Sequence, residues 1–232
     1  MLSLMCTLLL AFSPFNNVFL LNQLSRRSLL VSAISSNKFI DYSKDFNYSK
    51  INNDIIKLDN GENNAIIHTI KNNIYFTGPL TDESVFAITT NLISLQYRDF
   101  DEINLHLQSG GGSLLPSLGL VDLIRTSDIP INTFIDGYVA SAATLISIVG
   151  TKRFISKHGA MLVHELKMSN EYSKYKEIKD YSANADTLMQ IIKDIYLEYT
   201  SIDENKLNYL LEHDLWLNST QCQNYGFVDI LI

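Results

Sequence analysis

The segment EINLHLQSGGGS, from Glu102 to Ser113, decides how the rest of the chain is read. Ile103, Leu105 and Leu107 alternate with Asn104, His106 and Gln108, the period of a strand with one buried face. The strand, Glu102–Gln108, runs into Gly110, Gly111 and Gly112, where an uncovered backbone lets another group approach closely. Ser113–Arg125 then has helical spacing. A helix starting at such a turn directs unpaired N–H groups at whatever sits above it. Both features suit an oxyanion hole.

A second unit of the same kind follows. Ile131–Asp136 reads as a strand, then comes GYVASAA from Gly137 to Ala143, and Ser141–Val149 reads as an apolar helix. Ser141 therefore opens a buried helix among small neighbours that leave room at its hydroxyl. On residue types alone, a glycine turn and a serine N-cap explain these segments as well as catalysis does.

Working outward, Asn73–Thr77, Arg153–Ser156 and Ala160–Leu166 read as further strands, and Asp82–Leu95 as a helix. Tyr181–Thr200 is the clearest helix. Leu188, Ile191, Ile192, Ile195 and Tyr199 form its apolar stripe, with Lys193 and Glu198 opposite. A last helix spans Asp203 to about Leu211, with Asp203 as its cap. Lys38–Asn64 is Asn-, Asp- and Ser-rich and reads as a loose connection. Strands alternating with helices predict an α/β domain.

The composition sets the outer limits. The 232 residues are 46% hydrophobic and 19% charged with only four prolines, which excludes collagen-like, disulfide-framework and wholly disordered chains. Net charge is −7. The acidic side chains concentrate after residue 50, and an acidic body without a basic stripe argues against a nucleic-acid partner. Residues 1–40 carry no Asp or Glu. Met1–Ala11 is apolar but shorter than the roughly 20 residues a spanning helix needs. It resembles a signal-peptide core, and the Ser-rich stretch around Arg26 and Arg27 resembles a transit peptide.

Residues 1–50 are therefore expected to be a presequence and 51–232 the domain. The pairing of the two signals resembles the bipartite presequences of complex plastids, with a mitochondrial presequence as the alternative. That predicts a plastid or apicoplast stroma, or a mitochondrial matrix, and no membrane association of the mature form. Removing the presequence would leave Cys222 alone, which suits a reducing compartment.

Familiar motifs are missed narrowly. No G-x-x-x-x-G-K-[ST] loop is present, so ATP binding through a P-loop is not expected. Leu115 stands where G-x-G-x-x-G needs its third glycine, and Met168 stands where H-E-x-x-H needs its second histidine. Ser141 lies outside G-x-S-x-G, since Val139 and Ala143 flank it. No metal or other cofactor is expected.

Taken together, QSGGGS, DGYVASAAT and GAMLVHEL in the stretch Ile103–Leu166 resemble the proteolytic subunit of the ATP-dependent Clp protease. The resemblance begins at IYFTGPL, from Ile74, and reaches Gly226-Phe227-Val228-Asp229. It implies a crotonase-like α/β fold of stacked ββα units with a projecting handle helix. By this resemblance Ser141 is the nucleophile, His164 the general base and Asp214 the third member of the triad. Gly112 and Ala142 supply the oxyanion N–H groups. The implied function is cleavage of unfolded polypeptides inside a ring of self or paralogous subunits, fed by an AAA+ unfoldase that spends the ATP. His68, His106, His158 and His213 match no functional position.

The departures fall around the base. Glu165–Tyr172 lacks the Pro and glycines of the family hairpin that helps join two rings, and His213 replaces a basic residue said to pair across that interface. SPGGS has become SGGGS, and the link between Ser141 and His164 is shorter at Gly150–Arg153. These put double-ring assembly in question more than the triad. Two rival readings follow, a non-catalytic ring subunit of the same complex and an acyl-CoA enzyme on the related fold.

Overall fold

The computed structural model describes residues 55–58, 64–168 and 174–232. The presequence expected over residues 1–50 lies outside them. The described part is a mixed α/β structure built on a nine-stranded sheet.

The sheet opens with three antiparallel strands: β1 (Ile55–Leu58), β2 (Ala65–Ile70) and β3 (Asn73–Thr77). From β3 onward the pairing is parallel, through β4 (Ile103–Ser109), β5 (Ile131–Ala140), β6 (Arg153–Ile155) and β9 (Ile230–Leu231). Helix α1 (Asp82–Gln96) connects β3 to β4, and α2 (Leu114–Arg125) connects β4 to β5. Thr81 caps α1 reciprocally with Ser84, and Val85, Ile88, Leu92 and Leu95 turn inward at helical spacing. Each such apolar burial is worth about 1.5–3 kcal/mol of transfer free energy.

The sheet divides along β5. Thr133–Ile135 pair with β6, whereas Tyr138–Ala140 pair with β7 (Ala160–Val163), which pairs antiparallel with β8 (Leu215–Asn218). The division falls at Gly137, whose φ of 97° is open to glycine at little cost. The expected end of this strand at Asp136 was therefore too early, because a second partner continues it. Helix α3 (Ala142–Ser147) starts directly after β5 and is buried at every position.

Helix α4 (Tyr175–Tyr199) begins six residues before the expected Tyr181. Its first turns are exposed, Tyr175 and Ile178 included, and the Glu177 carboxylate accepts the Lys174 N–H at 3.0 Å. The buried positions of α4 are Ile192 and Tyr196, whereas Ile191, placed on the apolar stripe, is 38% exposed. Helices α5 (Glu204–Leu211) and α6 (Ser219–Asn224) complete the described helices, α5 capped by Asp203 as expected. Cys222, on α6, is buried and free, and burial pushes its thiol up to about 12.

Two further expectations need correction. The loose connection over Lys38–Asn64 contains β1, and β7 stops at Val163, not Leu166, because β8 no longer pairs with it beyond that point. Strands β2, β8 and β9 and helix α6 carried no expectation.

One face of the sheet, bearing Ile103, Leu105 and Leu107, belongs to the core. The other carries a row of side chains in register, His68, Tyr75, His106, Phe134, Phe154 and Ile230. Four of these rings stack in succession, Tyr75 to Phe154, with centroids 4.3–4.4 Å apart. Beside the row, amides link Asn73, Asn104 and Asn132 across three strands at 3.1 Å.

Candidate active site

Ser141, His164 and Asp214 come from three neighbouring strands, and the sheet explains why they meet. Ala140 is registered with Leu162, and Val163 with Leu215. Ser141 therefore falls beside Val163, one residue before His164, and Asp214 falls opposite His164. The Ser141 N–H donates to the Leu162 carbonyl at 3.0 Å, extending the ladder to the serine itself. Directly opposite residues of an antiparallel pair, the placement of His164 and Asp214, have Cβ atoms about 4.5–5.5 Å apart.

Ser141 has φ 56° and ψ −133°, and its side chain caps nothing in α3. The expectation of an ordinary serine N-cap is therefore not met. A non-glycine residue in this region of backbone space costs of order 1–3 kcal/mol and persists only where its surroundings impose it. Gly111 is one such surrounding. A Cβ there would stand 2.6 Å from both the Ala140 carbonyl oxygen and the Ser141 Cβ.

Gly112 has φ 148°, and a Cβ would reach 2.1 Å from the Leu80 carbonyl oxygen. That close approach comes from a bridge between the two loops: Leu80 N–H donates to the Gly111 carbonyl, and Ser113 N–H to the Leu80 carbonyl. The N–H of Gly112 takes part in neither bond. Ala142 opens α3, so its N–H also has no helical acceptor. Gly110 differs from its neighbours, because a Cβ there would meet nothing within 4 Å.

Ser141, Ala142, Gly112 and His164 line one cleft of about 250 Å³. Leu114, Leu145 and Ile192 supply apolar walls, and Tyr196 and Lys167 also border it. Asp214 does not. Its carboxylate pairs with Lys167 Nζ at 3.2 Å, with the two side chains 61% and 69% exposed. His164 Nδ1 lies 2.7 Å from the carbonyl oxygen of Glu165. A carbonyl only accepts, so Nδ1 carries the proton and Nε2 is left as the basic nitrogen. The structure thus brings Ser141 and His164 to one cleft, and holds Asp214 beside them on another partner.

Sequence reasoning missed Lys167 and the Glu165 carbonyl. A positive charge three residues past a candidate base, with an acid as the third triad candidate, was the available signal for Lys167. Two buried hydroxyls under Ser141, Thr144 and Tyr196, were missed as well. Of the unassigned histidines, His106 bonds Asp136 at 2.8 Å, and His213 Nδ1 donates back to the Tyr209 carbonyl of the preceding helix α5. Among the described residues there is no cluster of potential metal ligands, and no helix is long and apolar enough to cross a membrane.

A family model described as Clp protease matches residues 60–232. The chain is similar to the ATP-dependent Clp protease proteolytic subunit of Pleurastrum terricola, 27% identical over 161 residues, 68% of this chain and 82% of that protein. It is also similar to the ATP-dependent Clp protease proteolytic subunit 1 of Chlamydia pneumoniae, 23% identical over 161 residues, 67% of this chain and 84% of that one.

Proposed function

The chain belongs to the Clp protease family, and from that premise we propose that it is a serine endopeptidase subunit cutting unfolded polypeptides. The observation that carries this reading is the meeting of Ser141 and His164 at one cleft that Gly112 and Ala142 also line, residues whose N–H groups enter none of the loop and cap hydrogen bonds among the described residues. The reaction follows from those positions. Ser141 Oγ attacks the scissile carbonyl carbon while His164 Nε2 takes its proton. The carbonyl electrons move onto oxygen, where Gly112 and Ala142 donate to them. Collapse of the intermediate expels the amine, which receives the proton from His164, and leaves an acyl ester on Ser141. Water repeats the sequence, releasing the acid and restoring the hydroxyl.

Asp214 is the third member, reached when its ion pair with Lys167 opens. Standing opposite His164 at the strand ends, it then replaces the Glu165 carbonyl at Nδ1 and stabilises the imidazolium. The apolar walls of the cleft suit an apolar side chain next to the scissile bond. The subunit works in a ring of self or paralogous copies. A separate AAA+ unfoldase supplies substrate and hydrolyses ATP, in keeping with the missing P-loop motif. The presequence directs it to a plastid or apicoplast stroma, with a mitochondrial matrix as the alternative.

One observation favours the rival reading of a structural ring subunit, the engagement of Asp214 by Lys167. Native mass spectrometry of the chain after treatment with a fluorophosphonate separates the two. An assembled species carrying the probe, with labelling lost in Ser141→Ala, supports the peptidase. A ring that takes no probe refutes it in favour of the structural subunit.

A further inference from the structure

Behind the cleft, two hydroxyls are buried where none is needed for packing. We propose that Thr144 and Tyr196 are positioning residues for the Ala142 oxyanion donor, acting through the peptide bond between Ser141 and Ala142. The inference rests on the reading of Ser141 as a nucleophile and adds two residues to its machinery.

The Ser141 carbonyl and the Ala142 N–H are opposite ends of one planar peptide. Whatever fixes the carbonyl therefore fixes where the N–H points. Two groups of Thr144 hold that carbonyl, its N–H at 2.9 Å and its Oγ1 at 2.6 Å. A hydroxyl has one proton to give, so Thr144 Oγ1 must be the acceptor toward Tyr196, with which it is also hydrogen-bonded. The bonds then run one way, from the Tyr196 O–H to Thr144 Oγ1 and on to the Ser141 carbonyl.

Several features make this more than packing. Thr144 is fully buried and Tyr196 2% exposed, where Val and Phe would fill the same space without needing polar partners. Burial drives the Tyr196 phenol well above its ordinary range, outweighing its bond to Thr144, so it stays an O–H donor at every working pH. The peptide being held follows a residue in a costly backbone region, the place where an external restraint matters most. Donation to a carbonyl also polarises its peptide, which strengthens the N–H at the far end. Tyr196 is itself fixed, edge-on to Phe227 with centroids 5.9 Å apart.

The test compares the full chain with Tyr196→Phe, Thr144→Val, Thr144→Ser and the Tyr196→Phe/Thr144→Val double variant. One readout is affinity for a peptide boronate, whose serine adduct is tetrahedral and anionic, beside kcat and KM for a peptide substrate. The other is amide hydrogen exchange across residues 142–147, which needs no catalysis. Thr144→Val should lose about tenfold to a hundredfold in boronate affinity and kcat with KM nearly unchanged, short of the loss of a whole donor. Tyr196→Phe should lose less, roughly threefold to tenfold, since Thr144 still reaches the carbonyl. Thr144→Ser should match the parent, and the double variant should be no worse than Thr144→Val. Exchange should quicken in Thr144→Val and Tyr196→Phe.

Unchanged exchange in Tyr196→Phe overturns the proposal. So does a Thr144→Ser variant as impaired as Thr144→Val, or a double variant whose losses multiply. Should the parent chain form no boronate adduct and take no fluorophosphonate, the peptidase reading fails, and exchange alone then decides whether the two hydroxyls hold this peptide.

Discussion

The two halves of the cleft are built differently. The nucleophile half, Gly111 to Ser113 with Ser141 to Thr144, is tied by backbone bonds to Leu80, Leu162 and its own first helical turn. The general-base half, His164 to Lys167 with Asp214, leaves the ladder after Val163; the Glu165 N–H donates to the Leu211 carbonyl at 2.8 Å, but Lys167 and Asp214 are exposed and His164 Nδ1 is bonded only to the next residue's carbonyl. Packing decides the first half, and side-chain rotation decides the second. Catalysis of the proposed kind needs both arrangements, a rigid receptor for developing charge and a base that can be aligned. One half is fixed by its backbone, and the other leaves the alignment of its base to side chains.

The hardest way to break this contrast is Gly112→Ala. With the backbone at φ 148° and the Leu80 carbonyl in the way, the variant should lose about 3 kcal/mol or more, read by urea denaturation, and its fluorophosphonate labelling with it. Near-parental stability would mean that the nucleophile half is not rigid.

Acid tests a tie remote from both halves. Burial raises the Asp229 carboxyl, but the Arg153 side chain, its backbone N–H and its charge outweigh this and hold the group below its ordinary value. A depressed carboxyl contributes stability above its unfolded value near 3.9, and the contribution is lost as pH falls through the lower folded value. Asp229→Asn should therefore cost about 1 kcal/mol at pH 7, allowing for solvent screening, and progressively less below pH 4. A loss that does not shrink with acid would show that the ion pair is not its source.

Lys167→Met sharpens the comparison on the other side. The pair is exposed, so melting should move by less than about 0.5 kcal/mol. Freed from it, Asp214 should align His164 more often, and Ser141 should label a few-fold faster. Slower labelling would show that Lys167 assists the site instead of competing for it. Gly110→Ala is the smallest change. Open space at that Cβ predicts stability within about 0.5 kcal/mol of the parent, against the large loss two residues away.

Much of the nucleophile half could be read from the sequence, because local pattern encodes it. Alternation from Ile103 to Leu107, three glycines, and small residues around Ser141 specify two strand–turn–helix units without any distant partner. What failed to show depends on contacts far apart in sequence. Ile55–Leu58 sits in polar text and is a strand only because β2 pairs with it. Tyr196 was passed over in favour of Ile191 because a stripe on a long, largely exposed helix does not say which turn meets α3. Lys167 and Asp214 are 47 residues apart, and nothing local to either announces the pair. The ends of α4 and β7 were missed because α4 continues without packing and β7 stops when its partner does.

The row of stacked rings on the open side of the sheet bears on how the strands find their alignment. Parallel neighbours here are joined by long crossovers, so no tight turn dictates which residue faces which. Sliding β4 by one residue against β3 or β5 would turn His106 and Asn104 inward, push Leu105 outward, and break ring stack and amide chain together. A mispaired sheet would thus be penalised on both of its surfaces. The open face, which contributes little to the core, serves as a proofreading template for the face that does.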